Sequence, residues 1–319
     1  LKDKVLDKDK GGLYWMLTYD GNVIDDRKHV YAQSFGINAL SEYYEASRDK
    51  EALELAYQLF DLIETKGFNE ESNIYGEEYS AGWVAKGNEM LSGNGIKADI
   101  TTNTLIHVLE AYSNLYRVSG NEGVGERLKF LVDVFIEKIW DKNSDHMRVF
   151  FDSSWKEIID LQSYGHDIEA TWLLDDALRL LGLEDDFKYS GFVISIADNI
   201  RKTALEDDGG LIYESDNGCL NKKKVWWCQA EAMVGFVNMY ERTGINTYLN
   251  CAEQIWDYTK TYMIDQRDGG EWHAVLDPYG KPLSDPVVEP WKTPYHNLRA
   301  CLEVVKRLET CNVKSEVKY

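Results

Sequence analysis

The stretch Asp9-Lys10-Gly11-Gly12-Leu13-Tyr14-Trp15 is the most informative part of the sequence for its architecture, because variants of it return further along the chain. The clearest variants are Asp207-Asp208-Gly209-Gly210-Leu211-Ile212-Tyr213 and Asp268-Gly269-Gly270-Glu271-Trp272. Paired glycines followed by aromatic or aliphatic residues are typical of tight turns that lead into short β-hairpins. Such units recur at about 60 to 75 residues, which indicates a repeat architecture.

Pairs of helical patterns lie between these hairpins. The predicted helices are 29–47 and 51–66, 103–119 and 125–140, 164–181 and 192–204, 225–243 and 247–264, and a single last helix 294–308. In the third of them, Leu105, Val108, Leu109 and Tyr112 recur at helical spacing and predict one apolar face. A hairpin after every second helix favours a closed α/α toroid over an open solenoid, since the loops of a toroid gather at one rim.

We therefore predict an all-α fold, a single domain over residues 1–319, built as an (α/α)6 toroid or barrel with short β-hairpins at one rim. The pattern supplies about nine helices, whereas six pairs require twelve. The chain begins at Leu1 rather than Met, and it begins in mid-pattern. We expect the first three helices to lie upstream and apolar helix faces near Leu1 to be exposed.

Composition narrows the possible partners. The chain carries 35 basic and 55 acidic residues, a formal net charge of −20, so we expect neither nucleic acid nor an anionic membrane surface as a partner. No apolar run approaches the length that spans a bilayer. Five scattered cysteines without CxxC spacing indicate reduced thiols, a cytoplasmic location and no metal site.

Two local motifs have structural interpretations. Lys222-Lys223-Lys224 is interpreted as a solvated hairpin end. Gly93-Asn94-Gly95 lacks the Lys-Ser/Thr of a phosphate-binding loop and is interpreted as a turn. Aromatic residues make up 13% of the chain and suit sugar-binding clefts, although ordinary core packing explains most of them.

Polar and aromatic residues occupy the same position in four successive repeats, near the start of the first helix of each pair. They are Asn103 and His107; His166, Glu169 and Trp172; Trp227 and Glu231; and Trp291 and His296. Thr101 or Thr102, Ser163 and Thr293 are candidate caps of these helices. In a toroid, first-turn residues of successive repeats converge, which predicts one central pocket.

The histidines in this set suit proton transfer. An imidazole accepts or donates a proton near neutral pH, and two of them on opposite sides of a carbon remove a proton from one face and return it to the other. For His166, the helix N-terminus favours the neutral ring and nearby Glu169 favours the charged one. His107 is equally well explained as a hydrogen-bonded core residue. A glycoside hydrolase using Asp167, Glu169 or Glu231 is a rival interpretation.

Five stretches of the chain resemble the N-acylglucosamine 2-epimerase family, and within it the cellobiose 2-epimerases most closely. They are residues 28–35, 103–112, 163–174, 225–232 and 289–297, in the same order as in the family. Gly165-His166-Asp167-Ile168-Glu169 and Pro290-Trp291-Lys292-Thr293-Pro294-Tyr295-His296 are the most specific parts. The resemblance covers nearly the whole chain, but not the family's arginine on an early helix.

This resemblance implies an (α/α)6 barrel that interconverts reducing-end glucose and mannose of β-1,4-linked disaccharides of the cellobiose, lactose or mannobiose type through a cis-enediol. It implies that His166 and His296 form the acid/base pair, that Glu169 orients His166, and that His107 assists ring opening. It assigns the sugar sites to Asn103, Trp172, Trp227, Glu231 and Trp291. No cofactor is implied, the partner is a small disaccharide, and the expected state is a monomer or weak homodimer.

Two further functions stay open at this point. An aldose–ketose isomerase on the same scaffold needs the same two histidines and the same enediol. A truncated, non-catalytic carbohydrate-binding remnant is the other, because the chain begins so late in the pattern.

Overall fold

The structure, a computed structural model, describes residues 1–88 and 96–316, so the turn expected at residues 93–95 lies outside the described residues. Nine α-helices lie in the described part: α1 Val30–Ser47, α2 Lys50–Leu62, α3 Thr102–Ser119, α4 Glu122–Val134, α5 Tyr164–Leu181, α6 Phe187–Thr203, α7 Trp226–Thr243, α8 Asn246–Tyr258 and α9 Tyr295–Glu316. These correspond one to one with the nine predicted helices. None of the described helices is both long enough and apolar enough to cross a bilayer.

The predicted helix boundaries differ from the observed ones where local capping was not recognised. Helix α6 begins five residues earlier than predicted, because Asp186 caps it by accepting a hydrogen bond from the amide of Lys188 at 2.9 Å. Helices α2, α4 and α8 each pass into one π-helical turn, over Ile63–Gly67, Phe135–Ile139 and Thr259–Met263. That wider turn accounts for the helical residues predicted beyond their ends.

Sixteen strands of two or three residues lie in the described part, and all their pairings are antiparallel. They are β1 Met16–Leu17, β2 Val23–Asp25, β3 Lys28–His29, β4 Phe68–Asn69, β5 Ile74–Tyr75, β6 Glu78–Tyr79, β7 Ala85–Lys86, β8 Ile100–Thr101, β9 Trp140–Asp141, β10 His146–Met147, β11 Phe150–Phe151, β12 Leu161–Ser163, β13 Glu214–Asp216, β14 Cys219–Asn221, β15 Lys224–Val225 and β16 Val275–Leu276. The sheets are β1-β2, β3-β6-β7, β4-β5, β8-β11, β9-β10, β12-β13-β14 and β15-β16.

The chain divides into two compact units. The first comprises Leu1–Ile139, Arg148–Ile159 and Asp176–Asp185, and the second comprises Trp140–Met147, Asp160–Asp175 and Asp186–Tyr319. In the first unit α1 packs against α2 and α3, and α3 packs against α4. In the second, α7 packs against α6, α8 and α9. The single-domain prediction stays a prediction.

A short strand runs directly into the first helix of each pair. Strand β3 leads into α1, β8 into α3, β12 into α5 and β15 into α7. Each of these strands is hydrogen-bonded to another strand, so the first turn of the helix that follows is held in place. The polar residues singled out near the starts of α3, α5 and α7 are therefore positioned by strand–helix junctions, whereas the segment that leads into α9 is not a strand.

The repeated glycine motif has a conformational cause. Its first glycine adopts a left-handed backbone in every copy, with φ of 74° at Gly11, 89° at Gly209 and 71° at Gly269. A side chain is strained in that region, so glycine is the residue that this turn requires. The repeat predicted from the sequence is thus a repeat of backbone conformation.

A buried glutamine ties the glycine motif to the following first helix in two repeats. Gln33 on α1 accepts from the amide of Leu13 at 2.6 Å and donates to its carbonyl at 3.1 Å. Gln229 on α7 makes the same pair of bonds to Leu211, both at 2.8 Å. Both glutamines are fully buried. The amide and carbonyl groups of Leu13 and Leu211 therefore depend on these side chains for their hydrogen bonds.

Buried lysines make a second recurring contact and correct one sequence interpretation. Lys224 is fully buried and paired with Glu206, so the expectation of a solvated lysine hairpin end was wrong at that position. Lys28, paired with Asp7 at 2.8 Å, and Lys292, paired with Glu271, are equally buried. Each lysine closely precedes a helix and neutralises an acidic side chain that lies in or just before a glycine motif, which makes burial of the charge tolerable.

Exposed apolar side chains are found near Leu1 and on α9. Leu1 is exposed, as is Tyr43 on α1. On α9, Leu298, Leu302 and Val305 form an exposed apolar stripe at helical spacing. The sequence expectation that further helices lie upstream stays a prediction.

Candidate active site

His166 lies in the first turn of α5, directly after β12. Its Nδ1 lies 2.8 Å from Oγ of Ser163, the last residue of that strand. Strand β12 pairs with β13, which fixes Ser163 opposite Glu214. The ring of His166 is therefore held from the strand side through Nδ1.

Trp227, in the first turn of α7, contacts both candidate histidines. Its ring centroid lies 4.7 Å from that of His166 and 5.6 Å from that of His296. The two imidazoles thus border the same indole, and the sequence prediction that they occupy one site is supported by these two contacts.

Gly165 makes the close approach of α7 possible. A Cβ atom at this position would lie 2.5 Å from the Trp227 ring and 2.5 Å from Sγ of Cys228. Real Cβ contacts are not that short, and these neighbours are a partly buried indole and a fully buried thiol. Glycine is consequently the residue that lets Trp227 lie against the first turn of α5.

We expect Gly165→Ala to displace Trp227 and lower kcat/KM by about tenfold to a hundredfold, the cost of a shift of about 1 Å in a site. The added methyl also overpacks the helix contact, at about 1–3 kcal/mol of unfolding free energy. Kinetics and chemical denaturation measure both effects. Gly191→Ala on α6, which meets nothing within 4 Å, is the control. Unchanged kinetics in Gly165→Ala would disprove the positioning role.

His296 lies in the first turn of α9 and is paired with a buried carboxylate of α7. Its Nδ1 lies 2.6 Å from Oε1 of Glu231, which is fully buried. Tyr295 and Trp226 also border the His296 ring, with centroids at 4.7 and 6.3 Å. The arrangement is a carboxylate–imidazole pair, which fixes the tautomer and orientation of the ring.

Arg299 is a site residue that the sequence reasoning missed. Its Nη2 donates to Oε1 of Glu169 at 2.8 Å and to Oε1 of Glu231 at 2.7 Å, so one nitrogen bridges two buried carboxylates. The signal available in the sequence was its spacing, three residues after His296, which places both on one face of α9.

Trp172 is buried beside these carboxylates. Its Nε1 donates to Oε2 of Glu231 at 3.0 Å, and the guanidinium groups of Arg299 and Arg307 lie 4.8 and 5.5 Å from its ring centroid. The described contacts of Trp172 therefore tie it to Glu231, and its predicted contact with a sugar stays a prediction. Trp291, by contrast, is 47% exposed on the segment that leads into α9, and its stacking role also stays a prediction.

The charges of the site favour an ionised Glu231. Burial opposes ionisation, but the positive charge of Arg299 and the hydrogen bond to His296 outweigh it, so the pKa of Glu231 lies below the ordinary glutamate value.

Asp167, on the same first turn as His166, differs: burial raises its pKa to about 6. Its oxygens accept from the amide of Met147 and from Gln162, both at 2.9 Å, which is a structural tie between β10 and α5.

These contacts weaken the hydrolase interpretation. Glu169 and Glu231 share one guanidinium nitrogen, whereas the paired carboxylates of glycosidases flank the scissile bond of a bound sugar. Asp167 accepts two hydrogen bonds from the protein. The three carboxylates proposed for that chemistry are thus committed to contacts within the protein.

Glu169, Glu231 and His296 also form a group whose ligand atoms lie within 4.8 Å of one another, the spacing of a metal site. Arg299 already donates to both carboxylates and supplies the positive charge that a cation would bring. We therefore interpret the cluster as an ion-pair network.

His107 and Asn103 lie on α3, in the first of the two compact units. His107 is buried, its Nδ1 lies 3.2 Å from Oε2 of Glu110, and the rings of Tyr31 and Phe35 lie 5.0 and 4.7 Å away. Asn103 is partly exposed in the first turn of the helix, whose N-cap Thr101 accepts from the Thr104 amide at 3.1 Å. Their proposed contacts with a sugar are untested by these distances.

A family model described as N-acylglucosamine 2-epimerase (GlcNAc 2-epimerase) matches residues 1–300. The chain belongs to this family. The resemblance inferred from the five sequence stretches is thereby confirmed.

Members of the N-acylglucosamine 2-epimerase family with curated functions are close in sequence. The cellobiose 2-epimerase of Ruminococcus albus is 44% identical over 96% of this chain and 79% of its own length. That of Dictyoglomus turgidum is 42% identical over 95% of this chain and 77% of its own length.

The fold of the family is also shared. The structure of cellobiose 2-epimerase from Bacillus thermoamylovorans superposes with a TM-score of 0.93 at 54% identity, covering 96% of this chain and 79% of that one. Cellobiose 2-epimerases have an (α/α)6 toroid fold, so the predicted fold class is confirmed.

Proposed function

We propose that the chain is a carbohydrate 2-epimerase that interconverts glucose and mannose at the reducing end of β-1,4-linked disaccharides without a cofactor. The observation that carries this proposal is the pair of imidazoles of His166 and His296 bordering the indole of Trp227. Inversion at one carbon requires two proton-transfer groups, and histidine is suited to this near neutral pH. Family membership and the cellobiose 2-epimerase relatives point to the same reaction.

The hydrogen bonds of the two rings define how each handles a proton. Nδ1 of His166 is bonded to Ser163 and Nδ1 of His296 to Glu231, so we assign proton exchange with the substrate to Nε2 of each ring. The ionised carboxylate of Glu231 stabilises the imidazolium form of His296, which strengthens it as a base. His166 lies at the N-terminus of α5, where the helix dipole favours a neutral ring.

The reaction on the open-chain sugar then proceeds in two steps. One imidazole removes the C2 proton as the electron pair of that C–H bond forms the C1–C2 double bond and the C1 carbonyl electrons move to O1, which takes a proton from solvent water; the product is a cis-enediol. The other imidazole, in its protonated form, gives a proton to C2 from the opposite face, while O1 returns its proton to the solvent and the C1 carbonyl re-forms. At the end of the reaction each histidine has the protonation state in which the other began. The reaction is therefore reversible, and the histidine that is the base in one direction is the acid in the other.

The remaining site residues have proposed binding roles. Trp227 and Trp291 offer aromatic faces to the C–H faces of pyranose rings. Trp172 and Glu231 position His296 through their mutual hydrogen bond. We propose that Asn103 also contacts the sugar and that His107 assists ring opening, both by analogy with the family.

Incubation of the protein with cellobiose in D2O, followed by NMR, tests this function. We expect a reducing-end mannose that carries deuterium at C2. A ketose product would establish the aldose–ketose isomerase, and released glucose would establish a hydrolase. Binding of cellobiose without any exchange at C2 would establish a non-catalytic carbohydrate-binding protein.

We further propose a cytoplasmic location and a monomeric or weakly dimeric state. The five cysteines are scattered along the chain without CxxC spacing, which supports a reducing compartment. Size-exclusion chromatography with light scattering measures the oligomeric state directly.

A further inference from the structure

We propose that Arg299 is a positioning residue of this reaction: it holds Glu169 and Glu231 side by side as ionised carboxylates and so keeps Glu231 as the acceptor for His296. The proposal rests on the proposed function, in which His296 exchanges a proton with the substrate. Arg299 acts through Glu231, since its described hydrogen bonds go to Glu169, Glu231 and Tyr295.

The two carboxylates need a cation between them. Glu169 and Glu231 are both fully buried, and both lie within hydrogen-bond distance of the same Nη2 atom. Two buried carboxylates this close cannot both stay ionised without a counter-charge, because each raises the proton affinity of the other. Arg299 supplies that charge, and a guanidinium stays protonated at every working pH.

The arginine is itself fixed in place. Its guanidinium carbon lies 4.4 Å from the ring centroid of Tyr295 and 4.8 Å from that of Trp172, and it donates to the Tyr295 hydroxyl. Planar stacking and a fork of donors are properties of arginine that lysine lacks. The position of the charge is therefore set by the surroundings of the side chain as well as by the two carboxylates.

Oε1 of Glu231 is the atom that connects Arg299 with His296. It lies 2.7 Å from Nη2 of Arg299 and 2.6 Å from Nδ1 of His296. The arginine thus sits close enough to limit the proton affinity of the Glu231–His296 pair, while it keeps the carboxylate oriented towards the ring. The titratable and charged groups around the pair are His166 and Glu169 on α5, Cys228 on α7, and Tyr295 and Arg299 on α9.

Two substitutions separate the charge of Arg299 from its geometry. Arg299→Met removes the charge and keeps much of the apolar length, whereas Arg299→Lys keeps the charge but reaches one carboxylate at a time. Arg267→Met, at an exposed arginine whose partner is Asp265, is the matched control. Near-UV circular dichroism establishes that each full-length variant is folded.

The first measurement is the titration of His296 by NMR on ¹³C-histidine-labelled protein, with its signal assigned by its loss in His296→Asn. We expect the midpoint of the Glu231–His296 pair to rise by about one pH unit in Arg299→Met, the effect of removing one neighbouring positive charge. Arg299→Lys should show a smaller rise, and Arg267→Met none. Should Arg299→Met not fold, the rise in Arg299→Lys decides the matter.

The second measurement is the kinetics of C2 exchange with cellobiose as a function of pH. The acidic limb of kcat should move to higher pH by about one unit in Arg299→Met, so that kcat measured on that limb falls by about tenfold, the factor that one pKa unit represents. KM should change little, because the proposed role of Arg299 is to position Glu231 rather than to bind the sugar. An unchanged His296 midpoint in both folded variants overturns the proposal. If the wild-type protein does not exchange the C2 proton of cellobiose, the proposed function is overturned instead. The titration of His296 then still tests the role of Arg299.

Discussion

Replacement of either His166 or His296 by asparagine is expected to lower kcat for epimerisation by about 10²- to 10⁴-fold, the usual contribution of a general acid–base group. Asparagine retains a polar side chain of similar reach at Nδ1, so the hydrogen bonds to Ser163 or Glu231 have a partial substitute. The loss then reports on proton transfer rather than on packing. Product formation from cellobiose, followed by NMR, gives the magnitude.

The two variants should differ in which epimer they deprotonate. With one base left, each variant still exchanges the C2 proton of the epimer that presents it to the remaining ring. In D2O, one variant should therefore incorporate deuterium into the glucose-ended substrate without inversion, and the other into the mannose-ended substrate. His273→Asn, at a partly exposed histidine in the hairpin region after α8, is the matched control. Wild-type rates of epimerisation in either variant would contradict the two-base mechanism.

Glu231→Gln is expected to lower kcat by a comparable factor, about 10²- to 10³-fold, while leaving sugar binding largely intact. The neutral amide cannot stabilise the imidazolium form of His296. The positive charge of Arg299, no longer balanced by Glu231, then disfavours that imidazolium. Removing an acceptor from a buried charged donor also costs about 2 kcal/mol of unfolding free energy. Initial rates and urea denaturation measure the two effects.

The pH dependence of stability provides an independent check on Glu231. Its folded pKa lies below the ordinary glutamate value, so its ionisation stabilises the folded protein above the unfolded pKa. That contribution is lost as the pH falls through the folded pKa. The wild type should consequently lose its stability advantage over Glu231→Gln on acidification below about pH 4.5. An advantage that is constant from pH 7 to pH 3 would show that Glu231 does not contribute through its charge.

The placement of the candidate site residues on their helices was predictable because helix-start positions follow from local patterns. His166 precedes Glu169 by three residues, and Trp227 precedes Glu231 by four, so their places on one helix face were set by helical spacing. The partners of these residues were not predictable in the same way. Glu169 was expected to serve His166, whereas its described bond is to Arg299, 130 residues away in the chain. The orientation of His166 by Glu169 stays a prediction.

Local sequence alone determined the paired helices, the glycine turns and the family, because helical periodicity, left-handed glycines and short motifs depend on neighbours within a few residues. The tertiary structure alone decided which charges meet. Arg299 bridges two carboxylates from different helices, and Lys224 is buried against Glu206 although it stands in a run of three lysines. Such pairings depend on distance in space and on burial. The residues next to a side chain in the sequence determine neither its distance from a partner nor its burial.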